Sequence, residues 1–331
     1  MTRRQFVAGL ASTFAGAVWP MRLHAQPAGK LRRVWVLMLY GESDPEGQRR
    51  ANALRQGLEG RGWMPGRNIE LSYRWGTFDA NWIAAVTTEL QDFQPDIIVV
   101  NTSVGLRAIA KTAAATPIIF IGVSEPVAQG FVASLSRPGG NITGFSNLES
   151  TLGAKWLDLL KEAAPQVRRA AFMYNPGNPG SSVTLSSAQA AARASGVELF
   201  DAPVSGLPAI EAVLTKLGSE PGGALILPPD PFVIAHRKRI VEAAISSKMP
   251  IVSATRPFVD EGGLLAYGAN IPNLFQQSAD YVDRILRGQK PADMPVQQPT
   301  KFEMIVNLKG ARAIDLTLPA TLLARADEVI E

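Results

Sequence analysis

Val34-Trp35-Val36-Leu37-Met38-Leu39 is an unbroken apolar run, followed at once by the polar and turn residues Tyr40-Gly41-Glu42-Ser43-Asp44-Pro45. A short run without alternation suits a parallel strand buried on both faces. Past Pro45, Ala51, Leu54 and Leu58 fall on one helical face. Strand, turn and helix thus form the opening unit, and the unit recurs. Ile69, Leu71 and Tyr73 alternate as a second strand, and Trp82, Val86 and Leu90 repeat every four residues as a helix. Ile97-Ile98-Val99-Val100 is a third strand, Gly105 to Ala115 is helix-like, and Ile118-Ile119-Phe120-Ile121 is a fourth strand.

A second series follows. Ala170 to Tyr174 reads as a strand, Ser181 to Ser195 as an alanine-rich helix and Val197 to Phe200 as the next strand. A helix from Pro208 to Leu217, a strand at Ala224-Leu225-Ile226-Leu227, a helix from Phe232 to Ser247 and a strand at Pro250-Ile251-Val252-Ser253 complete it. Strands alternating with helices predict right-handed βαβ units and parallel sheets. The expected fold is α/β, with two doubly wound parallel-sheet lobes.

Turn residues interrupt the pattern at Pro138 to Gly144, at Ala266 to Pro272 and at Gln297-Gln298-Pro299-Thr300. Three breaks let the chain cross between lobes three times. The expected division is residues 31–145 with 269–298 in one lobe, and 146–268 with 299–331 in the other. The helix from Leu274 to Leu286 then returns to the first lobe, and Phe302 to Val306 is a late strand.

Residues 1–25 read as a cleavable signal peptide. Thr2-Arg3-Arg4-Gln5-Phe6 places two arginines before an apolar run of 13 residues from Phe6 to Val18, and small residues lead to Ala25. Spanning a bilayer as a helix takes about 20 residues, so an export signal is the expectation rather than an anchor. The Thr-Arg-Arg-x-Phe order resembles a twin-arginine signal; ordinary signals also carry paired arginines, and both routes stay open. The chain has no cysteine, which removes disulfides, thiolate metal sites and the lipid-anchoring cysteine of tethered exported proteins. A free periplasmic protein is the expected form.

The whole chain carries 33 basic and 29 acidic side chains. Loss of Arg3, Arg4 and Arg22 with the signal leaves 30 against 29, a nearly balanced surface with no electrostatic case for nucleic acid. His236-Arg237-Lys238-Arg239 is the one dense basic run and reads as a solvated helix face. A chain of 331 residues also exceeds the roughly 250 to 300 at which single cores stop growing.

Catalytic templates are missing. The chain has two histidines; His24 goes with the signal and His236 sits among cations, so no Ser-His-Asp triad assembles readily. There is no Gly-x-Ser-x-Gly elbow, no Gly-x-Gly-x-x-Gly after the first strand and no phosphate-binding loop. Asp44/Glu46 and Asp260/Glu261 read as solvated loop carboxylates, with acid–base work as the alternative. No cofactor and no metal are expected.

Polar residues collect instead at the carboxyl ends of the strands, where open α/β sheets keep their ligand crevice. These are Tyr40 and Ser43, then Asn101, Thr102 and Ser103, then Ser124, Glu125 and Pro126 in the first half. Tyr174, Asn175, Asn178 and Asp230 stand in the second half, and Phe232 and Phe258 offer further aromatic walls. Ser, Thr and Asn after a strand also cap the next helix, and each aromatic is equally a core or rim residue.

Several stretches then resemble one family. They are Ser124-Glu125-Pro126-Val127, Leu135 to Gly144, Tyr174-Asn175-Pro176-Gly177-Asn178-Pro179, Phe258 to Gly268, and the run from Ile285 to Ile330. Together they resemble the substrate-binding proteins of ABC-type importers, in the group with tryptophan- and phenylalanine-binding members. The resemblance implies a type I periplasmic binding fold with a three-crossing hinge and a monomer partnered by an ABC permease in the inner membrane. It also implies an amino-acid ligand, aromatic ones included. The family often has Asp-Pro where this chain has Glu125-Pro126, a longer side chain beside any ligand amine. Its first-strand and third-strand loops vary, so Tyr40, Ser43, Asn101 and Ser103 lean on it least.

The expected mechanism is hinge closure on a small polar molecule. Hydroxyls and amides of both lobes would hold a carboxylate, Glu125 or Asp230 an ammonium, and an aromatic the side chain. A periplasmic sensor for a membrane receptor is the alternative from another class, and an exported enzyme is the third.

Overall fold

The continuous apolar runs become strands with no face toward water. Val34 to Met38, Ile97 to Val100 and Ile118 to Ile121 are all almost fully buried. The computed structural model describes residues 31–331 except 77–79, 148, 150 and 179, so the expected signal segment 1–25 lies outside the described residues. The first half folds as β1 (Arg32–Met38), α1 (Pro45–Glu59), β2 (Ile69–Trp75), α2 (Ala80–Phe93), β3 (Ile97–Asn101), α3 (Ser103–Ile109), β4 (Ile118–Val123) and β5 (Ile142–Ser146). Next come α4 (Leu152–Ala163), β6 (Arg169–Tyr174), α5 (Gly180–Ser195), β7 (Glu198–Pro203), α6 (Leu207–Gly218), β8 (Gly223–Leu227), α7 (Pro231–Ala235), α8 (Arg237–Ser246), β9 (Ile251–Ser253) and α9 (Pro257–Asp260). The chain ends with β10 (Leu265–Ala269), α10 (Ile271–Leu286), β11 (Phe302–Asn307), α11 (Leu308–Ala313), α12 (Ala320–Leu323) and β12 (Glu328–Ile330).

Two sheets result. The first runs β2-β1-β3-β4-β5 and is parallel throughout. Its order steps one way and then the other from β1, which opens a crevice above the carboxyl ends of β1 and β3. The second runs β12-β11-β10-β9-β8-β6-β7. It departs from the all-parallel expectation at one junction, where β11 lies antiparallel to β10. The chain leaves β10, builds α10 against the first sheet, and re-enters the second sheet beside the end it left, so β11 must run the other way.

Each sheet is covered on both faces, as α/β layers require. On the first, Leu54 and Leu58 of α1 pack with Leu274, Phe275 and Val282 of α10 on one face. Val86, Leu90, Leu106 and Ile109 cover the other. On the second, Trp156 and Leu160 of α4 pack with Phe172, and α6 and α8 fill the opposite side with Ile210, Leu214 and Ile240. Each such leucine or phenylalanine removed from water stabilises by roughly 1.5–3 kcal/mol. A Cβ on Gly57 would lie 2.5 Å from the Gln276 carbonyl oxygen, so glycine is what lets α1 and α10 touch backbone to backbone.

Several expected boundaries move. Two of the expected breaks contain strands: Ile142 to Ser146 is β5, and Leu265 to Ala269 is β10. The third break pairs with the first, Ser146 N–H donating to the Gln297 carbonyl at 2.8 Å and Gln297 N–H to the Gly144 carbonyl at 2.9 Å. The helix expected from Gly105 to Ala115 is regular only to Ile109. The one expected from Phe232 to Ser247 breaks at His236, whose Nδ1 sits 2.9 Å from the Phe232 carbonyl oxygen and whose ψ is 12°.

Candidate functional site

The loops after β1, β3 and β4 face those after β6, β8 and β9 across a cleft. The space between the facing surfaces, open solvent at its mouth included, is about 500 Å³. Tyr40, Thr102, Ser103 and Ser124 line it from the first lobe, and Asn178, Pro229, Pro231 and Ile234 from the second.

Local structure fixes each polar side chain. Thr102, held at a φ of 69°, caps α3 by accepting from Gly105 N–H at 3.3 Å. Gln129 donates both to Ser103 Oγ at 3.0 Å and to the Ser124 carbonyl at 2.5 Å, tying the β3 and β4 loops together. Ser124 Oγ donates to Asn147 Oδ1 at 3.0 Å. Asn101 Oδ1 accepts from Leu39 N–H at 2.9 Å, which spaces the β1 and β3 loops. Asp230 does the same for the second lobe. Its Oδ2 accepts from Asn175 N–H at 2.9 Å and Asn178 Nδ2 at 3.1 Å, and its Oδ1 from Val233 N–H at 3.1 Å.

Of the residues expected at the site, Tyr40, Thr102, Ser103, Ser124 and Asn178 line the cleft. The others lie elsewhere or serve other ends. Phe258 is fully buried among Leu227, Val233 and Val241, so it is core rather than wall. Asp230, expected beside a ligand ammonium, is fully buried with three protein donors on its two oxygens. Burial pushes its carboxyl up, and the donated hydrogen bonds from Asn175, Val233 and Asn178 oppose that. Tyr174 packs edge-on against Phe172; burial raises its hydroxyl pKa, and a hydrogen bond with Asp201 adds to the rise. Asn175 folds its Oδ1 back onto Gly177 N–H at 2.7 Å. Ser43 is exposed, Glu125 half-buried at a φ of 48°, and Pro126 buried; none of the three lines the cleft.

Thr255, which follows β9, lines the cleft as well, and so do Asn147, after β5, and Arg50, which no strand-end pattern marks. Arg50 is 5% exposed and pairs through Nε with Glu46 Oε1 at 2.8 Å, one turn earlier on α1. Its guanidinium lies 4.7 Å from the centre of the Tyr40 ring. Burial works against the Arg50 charge, but Tyr40 and Glu46 outweigh it and its pKa rises. The Tyr40 hydroxyl is pushed up to about 12, chiefly by burial, so it stays protonated through the neutral range. Glu46 and Arg50 share the four-residue register of Leu54 and Leu58. That shared register was the available sign that the pair points inward.

Among the described residues, Asn101 Nδ2, Ser181 Oγ, Thr255 Oγ1 and Glu46 Oε2 are buried without a hydrogen-bond partner. Glu46 Oε2 has only a 3.6 Å ion-pair contact with Arg49 Nε. Buried polar groups are normally satisfied; of these orphans, Thr255 lines the cleft and Glu46 lies one turn from Arg50, which does, while Trp35 Nε1 is a further orphan within the core of the first sheet.

The lobes also touch across the cleft. Tyr40 packs into the second lobe's core beside Met173 and Leu227. Arg237, read from sequence as a solvated cation, reaches Asp44 Oδ2 at 2.8 Å and Glu261 at 3.3 Å, with its side chain 11% exposed. Arg49 meets Asp260 at 2.6 Å. At the cleft's other side, a Cβ on Gly180 would stand 2.3 Å from Ser124 Cβ and 2.7 Å from its Oγ. Among the described residues no group of three or more metal-ligating side chains is found, and no helix is long and apolar enough to cross a membrane.

Comparison with known proteins gives concordant results. A family model described as "ABC transporter substrate binding protein" matches residues 43–330. A tyrosine-binding protein of Clostridioides difficile is 24% identical over 259 residues, covering 78% of this chain and 74% of its own length. The crystal structure of a conserved domain protein from Vibrio cholerae superposes with a TM-score of 0.83 at 24% identity, covering 91% of this chain and 100% of the other. The structure of an ABC domain in complex with L-Trp from Streptococcus pneumonia also reaches 0.83, at 23% identity, covering 90% and 99%.

Proposed function

We propose, from the premise that this chain belongs to the family of ABC transporter substrate binding proteins, that it captures one amino acid between its lobes and delivers it to a membrane importer. The observation that carries this reading is the cleft itself. Loops at the carboxyl ends of two separate sheets line one cavity, and residues of both lobes already meet on either side of it. The amino-acid class is supported by the tyrosine-binding relative and by the relative solved with L-Trp.

In this reading residues 1–25 direct export, and the mature chain works as a free periplasmic monomer that docks on an ABC permease. Residues 31–145 with 269–298, and 146–268 with 299–331, move as the two rigid units about the paired crossings. Ligand favours the closed form because only there does it contact both loop sets. Protein purified, unfolded to strip retained ligand and refolded should show a thermal shift and a tryptophan-fluorescence change with a subset of the twenty amino acids. Ligand at about a hundred times its Kd stabilises by about 2.7 kcal/mol, which a melting scan resolves. A protein that responds to none of the twenty would sink the reading.

Closure should also lean on Arg237. Its pair with Asp44 is more enclosed than a surface bridge, whose worth is about 0–1 kcal/mol, and less than a buried one, whose breaking costs about 3–5 kcal/mol. Arg237→Ala is therefore expected to weaken ligand affinity about tenfold, since about 1.4 kcal/mol is tenfold. Isothermal titration of both proteins measures it, and equal affinities would mean that the pair plays no part in closure.

A further inference from the structure

The cleft does not end at Thr255 and Arg50. A second compartment of about 670 Å³, counted the same way, continues from it toward the hinge. Arg50, Thr255 and Ile271 line both compartments and so mark their junction. Beyond the junction, Glu46, Asn270 and Glu303 join the lining. The first compartment has apolar walls in Tyr40, Ile121, Pro231 and Ile234.

The hydrogen bonding at the junction is incomplete in a particular way. The guanidinium of Arg50 makes one hydrogen bond, from Nε to Glu46 Oε1. Its terminal nitrogens donate to no protein atom among the described residues, although the side chain is almost wholly buried. An arginine buried only for structure satisfies its planar fork with carbonyl or carboxylate oxygens. Glu46 Oε2, in ion-pair contact with Arg49 at 3.6 Å, and Thr255 Oγ1 are buried without a hydrogen-bond partner. Unused guanidinium donors together with an unused carboxylate oxygen and hydroxyl around one junction complement the carboxylate and ammonium of a zwitterion.

We propose that this junction is the head-group subsite: Arg50 holds the ligand's carboxylate through its terminal nitrogens, and Glu46 and Thr255 take the ammonium. This rests on the amino-acid reading above and revises where recognition happens. Asp230 and the hydroxyls after β3 shape the cleft, and the charge is read on α1.

The test uses the refolded full-length mature protein and three probes: L-tyrosine, L-tyrosinamide and tyramine. Titration calorimetry of the wild type should show L-tyrosine binding about a hundredfold more tightly than either analogue lacking the carboxylate, the effect of removing one partner of a buried charge pair. In Arg50→Gln/Glu46→Gln, which removes both charges and avoids stranding either, acid and amide should bind within about threefold of each other. Arg50→Lys should keep the preference for the acid with reduced affinity, because lysine keeps the charge and loses the fork. Equal affinity of the wild type for acid and amide overturns the subsite, and so does an unchanged preference in the double variant. If L-tyrosine does not bind, the best binder among the twenty amino acids and its amide replace it. A wild type that binds none of them overturns both readings, whereas binding without carboxylate discrimination overturns the subsite alone.

Discussion

Replacing Gly180 by valine is expected to weaken ligand binding roughly a hundredfold while leaving the melting temperature of the ligand-free protein nearly unchanged. The two effects separate because of where the glycine stands. It begins α5 in the second lobe, and across the cleft Ser124 follows β4 in the first. A Cβ at 180 would meet Ser124 Cβ at 2.3 Å, far inside contact distance, so the lobes reach their present approach only because that carbon is missing. Inserting carbon into a filled contact costs about 1–3 kcal/mol, or up to about a hundredfold in the population of the closed form. An open protein has no such contact to lose. Gly180→Ala should fall between wild type and valine, and Ser124→Gly should rescue much of the alanine loss. Titration calorimetry reads the affinities. If Gly180→Val binds as tightly as wild type, closure does not pass through this contact.

Asp230→Ala is expected to destabilise the fold by about 3 kcal/mol. The substitution strands three donors, namely Asn175 N–H, Asn178 Nδ2 and Val233 N–H. A buried donor left without a partner costs about 1–3 kcal/mol, and loss of a helix N-cap costs typically about 1 kcal/mol within that sum. The effect should appear as a lower urea midpoint with an unchanged slope. Asp230→Asn is the sharper variant. It keeps size and shape but sets an amide N–H against one or more of the same donors, so it should lie closer to alanine than to wild type. A wild-type midpoint for Asp230→Asn would show that the carboxylate is not what holds the β6 and β8 loops together.

Much of the architecture was readable because parallel strands buried on both faces leave unbroken apolar runs, as at Val34 to Leu39 and Ile118 to Ile121. The misreadings share a cause. Gly144 and Gly268 looked like turn residues, yet each sits in a strand at a close backbone approach. A Cβ there would come within 2.1 Å of the Phe120 carbonyl oxygen and 2.0 Å of the Ala254 carbonyl oxygen, respectively. Glycine signals a missing side chain, and sequence does not say whether a turn or a neighbour requires it.

The cleft was half legible for a similar reason. Topology dictates that residues after strands gather at one edge, so Thr102, Ser103, Ser124 and Asn178 were found. Topology does not say which way each side chain turns, so Asp230 and Phe258 were assigned outward roles while facing inward. Charges within helices were the larger loss. Glu46, Arg50 and Arg237 resemble ordinary solvated positions; the register shared with Leu54 and Leu58 marks the first two, whereas Arg237 is enclosed by Asp44 of the opposing lobe, which no local pattern encodes.

The contact between α1 and α10 bears on the order in which the molecule assembles. Residues 45–59 wait for residues 271–286 before one face of the first sheet is covered, and the glycine at 57 leaves no substitute filling for the gap. A growing chain therefore cannot finish its first lobe first. The β1–β5 layer stays half-clothed while the whole of β6 to β10 is made, and both lobes consolidate together near the end of synthesis. Pairings over such sequence distances fold slowly, which prolongs the interval in which the chain is still extended enough to be threaded or bound by other factors.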